Sequence, residues 1–174
     1  FALLAARELG ARVTGITLST GQAALARERV AREGLSDRVE IRLADYRDLP
    51  GEGRTYDRVV SIEMLEAVGE GFLDGYFEVV DRLLAPEGIA VIQSITVPDD
   101  RYARYRRRPD FIQKHVFPGS HCPSVGAIVA AVAGRSRLLV HHLEDIGAHY
   151  AETLRRWRQA FLGSLPRVAE LGYD

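Results

Sequence analysis

A single cysteine, Cys122, stands in a chain of 174 residues, so no disulfide can close within it and a free thiol in a reducing compartment is the simplest reading. Charge of one sign is equally scarce. The 23 Lys and Arg balance 24 Asp and Glu to a net charge of −1, which leaves no electrostatic footprint for nucleic acid. No apolar run approaches the about 20 residues of a membrane span, and no secretory leader is visible. There is no C-x-x-C pair and no H-E-x-x-H, so no metal site is expected. His141 and His142 fall in a strand pattern, where neighbouring side chains point to opposite faces and cannot share a metal easily. The G-x-S-x-G elbow and the P-loop are missing, which removes the commonest hydrolase and NTPase signals. A G-x-G phosphate loop is missing too. In a doubly wound fold that loop lies between the first strand and the first helix. This chain opens on Phe1, inside an apparent helix to Leu9, so the loop is expected upstream and the chain reads as an internal piece of a longer one.

What is present is an alternation of strands and amphipathic helices in a chain that is 47% hydrophobic. Gly10 stops the first helix. Arg12–Leu18 reads as a strand, and Ser19 or Thr20 caps a helix to about Glu33 that Gly34 ends. Arg38–Leu43 alternates charged and apolar residues as a strand near a sheet edge does, and Tyr56–Ile62 is a buried strand. A helix follows over Gly71–Leu84 with Phe72, Leu73, Tyr76, Phe77, Val80 and Leu83 on one face. Ala85-Pro86-Glu87-Gly88 turns the chain into a strand over Ile89–Ile95, Ser124 caps a helix through Ala133, Arg137–Glu144 reads as a strand and Gly147–Leu162 as a long helix. Such alternation predicts a parallel sheet with right-handed crossovers and helices on both faces. With no repeat, low-complexity tract or linker, residues 1–174 form a single domain.

Two stretches stand out chemically. Glu63 and Glu66 follow the Tyr56–Ile62 strand, and their spacing puts both on one face if the segment turns helically. A carboxylate pair at the carboxyl end of a strand is a site candidate in an open α/β sheet, and the alternative is a loop facing water. Residues 99–123 break the pattern as an insertion that carries Arg101, Arg104, Arg106, Arg107 and Arg108 among Tyr102, Tyr105, Phe111 and Phe117. That composition suits either an anionic lipid surface or a solvated face with its aromatics tucked into the core.

In order along the chain come Val13-Thr-Gly-Ile-Thr-Leu-Ser19, Leu35-Ser-Asp-Arg-Val-Glu40, Asp45-Tyr-Arg-Asp48 and Ser61-Ile-Glu-Met-Leu-Glu-Ala-Val-Gly69. Pro86-Glu-Gly88, Asp110-Phe-Ile-Gln113, Phe117-Pro-Gly119 and Gly147-Ala-His-Tyr-Ala-Glu-Thr-Leu154 follow. The set closely resembles the cyclopropane-fatty-acyl-phospholipid synthases and mycolic-acid cyclopropane synthases, which are S-adenosylmethionine-dependent methyltransferases. The resemblance runs over essentially the whole chain, and F-P-G followed by G-A-H-Y-x-x-T-L is its most specific part. It implies a Rossmann-like class I methyltransferase sheet, truncated before its first strand at the amino end and before its last strands at the carboxyl end. Methyl(ene) transfer from S-adenosylmethionine to the cis double bond of an unsaturated acyl chain of a phospholipid is the implied activity, giving a ring or a methyl- or methylene-branched chain. Rival readings are a methyltransferase for a small soluble acceptor and a non-catalytic module of the same fold. The implied setting is cytoplasmic, peripheral at the inner membrane face through the insertion, with Arg104, Arg106 and Arg107 as its charges and with a homodimer as a possible assembly. Without the glycine loop, the 174 residues alone are expected to bind the donor poorly.

Carried over position by position, Thr17 and Gln22 match residues that hold the ribose or methionyl part of the donor. Asp45 and Tyr46 match the adenine loop, where a carboxylate accepts from the exocyclic amine and a ring stacks on the base; read from the residues alone, they are a helix cap and a surface aromatic. Glu66 matches a carboxylate that helps hold a bicarbonate, the proton acceptor in the family, and Tyr150 matches a phenol that contacts that ion. Two departures follow. Glu63 stands where several members have Gly, and Gln93 stands where many have His. Glu63 is therefore read as a built-in carboxylate in place of bicarbonate, with Gln93 as its neutral neighbour. Cys122 matches no ion-binding cysteine of the family.

Overall fold

The computed structural model describes residues 1–173, which divide into two compact units, Phe1–Leu139 and the segment from Val140 onward. In the first unit, α1 (Ala2–Leu9), β1 (Val13–Thr17), α2 (Thr20–Arg32) and β2 (Val39–Leu43) form one layer pair. The left-handed backbone of Gly10, φ 65°, ends α1, and Ser19 caps α2 by accepting from Gln22 N–H at 3.2 Å. β1 and β2 pair in parallel, with Val13 opposite Val39 and Thr17 opposite Leu43. Ala6, Val30 and Val39 make the small core that joins the helices to this pair, with Leu3, Val13 and Ile41 around it.

A 3₁₀ turn (Tyr46–Glu52) leads to β3 (Tyr56–Ile62), then α3 (Leu65–Val68), α4 (Leu73–Leu83) and β4 (Leu84–Gln93). β3 and β4 are also parallel, and Arg58 to Ile62 lie opposite Ile89 to Gln93. The Ala85–Gly88 turn interrupts the register near the start of β4, so the strand begins at Leu84 and ends at Gln93, earlier than the sequence predicts. α4 and α6 (Val125–Arg135) cover the pair with the main core: Leu65, Leu73, Tyr76, Phe77, Val80 and Val132 with their neighbours. Ser124 caps α6 as predicted, accepting from Ala127 N–H at 3.1 Å.

Parallel pairing, helix order and caps agree with the predicted α/β class. Among the described residues the strands form two separate parallel pairs, with no ladder joining β1 and β2 to β3 and β4. The expectation that β3 is buried needs correction. Val59 and Ser61 face the helices, whereas Val60 and Ile62 are 38% and 51% exposed, because helices cover one face of the pair only. The strand expected over Arg137–Glu144 does not form. That stretch has no ladder partner, and alternation without a partner does not hold a strand.

Within the 99–123 insertion, α5 (Asp99–Tyr105) is followed by a single π-helical turn, Ile112–Val116. Asp110 and Gln113 cap each other's backbone N–H groups at 2.9 and 3.0 Å, and Gln113 Nε2 donates to Ser120 O at 3.0 Å. Phe117-Pro118-Gly119-Ser120 closes a tight turn, with Gly119 at φ 85° and Ser120 N–H donating to Phe117 O at 3.0 Å. The second unit holds α7 (Gly147–Gly163) and α8 (Leu165–Glu170). No helix of the described residues is long and apolar enough to cross a membrane.

Candidate active site

Thr17 ends β1, and Asp45 follows β2 at the same end of the parallel pair, because Thr17 lies opposite Leu43. The carboxyl ends of parallel strands are where open α/β sheets bind ligands. The Thr17 hydroxyl donates to Gln22 Oε1 at 2.7 Å and accepts from Ser19 N–H at 3.1 Å. That pins the Gln22 carbonyl and leaves its exposed NH₂ with two donors for a hydroxyl or carboxylate.

Asp45 caps the 3₁₀ turn. Its Oδ1 accepts from Arg47 N–H and Nε–H, both at 2.9 Å, and Oδ2 accepts from Arg47 Nη2 at 2.5 Å. The Arg47 guanidinium and backbone N–H hold the Asp45 carboxyl below the usual range. Oδ1 is thus saturated, and Oδ2 keeps one lone pair for a single N–H donor such as an exocyclic amine. Tyr46 is no surface aromatic: it is half-buried, with its ring 5.6 Å from that of Tyr76 in the main core. These four residues fit an adenosyl donor through unclaimed donors, one free lone pair and a ring.

The second carboxyl end, that of β3 and β4, holds Glu63, Glu66 and Gln93. Glu63 does not share a helical face with Glu66. It sits before α3 with a left-handed backbone, φ 51°, and only Glu66 lies in the helix. Glu63 N–H donates to Gln93 O at 2.9 Å, and Gln93 Nε2 returns a bond to Glu63 Oε1 at 3.0 Å. Glu66 Oε1 accepts from the Ser94 hydroxyl at 2.9 Å and from Ile95 N–H. Glu66 Oε2 is buried with no partner. The strand end Gln93-Ser94-Ile95 therefore grips both carboxylates, and each keeps a second oxygen for another group.

Two more buried groups without partners, the hydroxyls of Ser61 and Tyr76, lie beside this end. Burial raises the Tyr76 phenol, the adjoining Ser61 hydroxyl lowers it, and the charges of Tyr46 and Glu66 raise it further. Tyr76 thus joins the Tyr46 loop to the carboxylate end. Sequence reasoning placed Tyr76 in the core from its helical spacing and missed its hydroxyl. Ser94 and Ile95 were legible only as strand residues.

His121 was not anticipated. Its N–H donates to Glu66 O at 2.8 Å, and its ring nitrogen meets the Tyr102 hydroxyl at 2.9 Å between the rings of Tyr102 and Tyr105. It is 8% exposed, and burial lowers its pKa. Cys122 is half-buried and its thiol is raised by burial, which suits an inert side chain. Tyr150 lies on α7 in the second unit, where its ring meets Trp157 edge-on at 6.2 Å. No group of metal-ligating side chains occurs among the described residues.

Parallel strand pairs, covering helices and polar groups at the strand carboxyl ends make an α/β domain of the Rossmann-like kind. The chain belongs to the mycolic acid cyclopropane synthetase family, whose model it matches over residues 1–174. It is 43% identical over 165 residues to the tuberculostearic acid methyltransferase UfaA1 of Mycobacterium tuberculosis, covering 95% of this chain and 38% of that protein. Against the cyclopropane-fatty-acyl-phospholipid synthase of Escherichia coli K12 it is 38% identical over 158 residues, covering 91% of this chain and 38% of that one. The crystal structure of mycolic acid cyclopropane synthase CmaA1 complexed with SAH and CTAB superposes with a TM-score of 0.81 at 25% identity, over 97% of this chain and 61% of that one. The chain thus spans well under half the length of these two sequence relatives.

Proposed function

We propose that this protein transfers a methyl(ene) group from S-adenosylmethionine to the cis double bond of an unsaturated fatty acyl chain of a phospholipid. The product is a cyclopropane or a methyl- or methylene-branched chain. The observation that carries this reading is the double grip of one strand end on Glu63 and Glu66, each with an oxygen left over. Thr17, Gln22, Asp45 and Tyr46 are the residues that would hold the donor. Bound there, the donor supplies an electrophilic methyl group, and its transfer to the double bond leaves a cation on the acyl chain.

Glu66, fixed by Ser94 and Ile95, presents its partnerless oxygen as a steady negative pole for such a cation. Glu63 takes the proton at the oxygen that Gln93 does not occupy, in the role that a bound bicarbonate fills in the family. Gln93 suits this role because an amide is neutral at every working pH and orients the carboxylate without competing for the proton. Loss of a proton from the transferred methyl closes a ring, and loss from a neighbouring carbon leaves a branch. The acceptor is reached at a membrane surface, so the protein works in the cytoplasm, peripheral at the inner face of the membrane.

The test is methyl transfer by the full-length enzyme with and without bicarbonate. Activity of the native enzyme is expected to change less than about threefold on bicarbonate removal. Glu63→Gln is expected to lose about 10²-fold or more, as removal of a general base does. Steep dependence on bicarbonate with near-normal activity of Glu63→Gln would refute the assignment. Lipid extracts from the same reactions identify the acceptor.

A further inference from the structure

The insertion sorts its side chains by role. Tyr102 and Tyr105 turn inward onto His121 and Cys122, and Arg106 pairs with Glu70 while lying 5.5 Å over the Tyr102 ring. Arg106 is therefore engaged with Glu70 and Tyr102 and takes no part in the cleft described next. Arg104, Arg107 and Arg108 are different. They are exposed, they line one open cleft at the end of α5, and among the described residues none has a carboxylate partner. Three like charges around one cleft repel one another unless an anion joins them. Starting three residues after Arg108 in the chain, the π turn and the Phe117–Ser120 turn carry Phe111, Ile112, Val116 and Phe117, with Phe111 69% and Phe117 64% exposed. The Asp110–Gln113 caps and the Gln113 bond to Ser120 tie these two turns together.

We propose that this face docks on an anionic phospholipid surface. Arg104, Arg107 and Arg108 receive the headgroup phosphates, and Phe111 and Phe117 enter the acyl boundary. Charge alone would suit any polyanion. The apolar fringe that follows the charge in the chain is what selects a bilayer, because aromatic side chains gain by leaving water there. This inference rests on the reading that the acceptor is a membrane lipid, and it deepens that reading by naming the surface and the lipid charge.

The test is co-sedimentation of the full-length protein with vesicles of phosphatidylglycerol in phosphatidylcholine, compared with phosphatidylcholine alone. Preference for the anionic vesicles and weakening with salt are expected. The R104Q/R107Q/R108Q variant should bind them on the order of 100-fold more weakly, from about fivefold per arginine. The F111S/F117S variant should also release them. Methyl transfer to detergent-dispersed lipid should persist in the arginine variant, because the cleft holds none of the residues assigned to the chemistry. Unchanged vesicle binding by the arginine variant would overturn the docking surface while that transfer assay still stood on its own. Unchanged binding by F111S/F117S would overturn the bilayer as partner. Failure of the native enzyme to act on any acyl lipid would refute the functional reading separately, in an assay that involves no vesicle.

Discussion

Glu66→Gln separates a catalytic carboxylate from a structural one. In the native fold Oε1 accepts from Ser94 at 2.9 Å and from Ile95 N–H, while Oε2 is buried without a donor. A buried acceptor left unpaired costs about 1–3 kcal/mol. The glutamine keeps the Oε1 bonds and puts an NH₂ where that oxygen was. One unpartnered buried polar atom thus replaces another, and a charge is removed. The variant should therefore fold about as stably as the native chain, within about 1 kcal/mol, or roughly 2–4 °C in Tm for a domain of this size. Glu66→Ala removes the acceptor and strands the Ile95 N–H, while the Ser94 hydroxyl keeps Ile95 O as an acceptor at 3.2 Å. It should lose about 1–3 kcal/mol.

Methyl transfer should fall in both variants by about 10²–10³, the usual effect of removing one charge-stabilising group. Thermal melts and initial rates on the same preparations give the answer. If Glu66→Gln melts lower by more than about 2 kcal/mol and its activity falls only with its folded fraction, Glu66 is a structural anchor. The electrostatic role would then be wrong.

Two further predictions concern stability. The buried His121 has a lowered pKa, so below about pH 6.5 the unfolded chain takes up a proton that the folded one resists. Its contribution to stability is full above that pH and is lost as pH falls toward the folded value, with a slope of at most about 1.4 kcal/mol per pH unit for one proton. Denaturant melts between pH 5 and pH 7 should show this slope, His121→Phe should flatten it, and an equal slope in that variant would place the proton elsewhere. At Gly88, an added Cβ would meet Ala85 O at 2.8 Å and Leu84 Cδ2 at 2.9 Å. Gly88→Ala should cost about 1–3 kcal/mol, as overpacking does, whereas Glu87→Gly next to it relaxes a φ of 63° and should be neutral or better.

The elements with their own punctuation were legible. Gly10, Ser19 and Ser124 each do what their side chains predict, because a cap depends on a few neighbouring residues and little else. Arg137–Glu144 was illegible for the opposite reason: a strand exists only through its partner, and Leu139, 91% exposed, has none. Val60 and Ile62 were misplaced because an apolar run gives no sign of which face a helix will cover. At the site, Glu66 was legible as a carboxylate at a strand end. The Ser94 and Ile95 donors depend on the β3–β4 register, which no local spacing encodes.

Glu63 shows how a local rule and a site can conflict. Its backbone, φ 51°, belongs to the region that glycine enters freely, and a residue with a Cβ pays about 1–2 kcal/mol there. A single exposed hydrogen bond from Gln93 returns at most about that much, since such bonds net about 0.5–1.5 kcal/mol. Stability therefore gives little reason to prefer glutamate over glycine at this turn. What glutamate adds at this turn is its side chain. Gln93 is a neutral donor at the end of the neighbouring strand, and it fixes one carboxylate oxygen while leaving the other open. The strained backbone lies at a strand end, beside a second carboxylate held by the next two residues, which is the arrangement the proposed chemistry asks for. Gln93 and Glu63 thus form one unit, and a change at either should be read through the other.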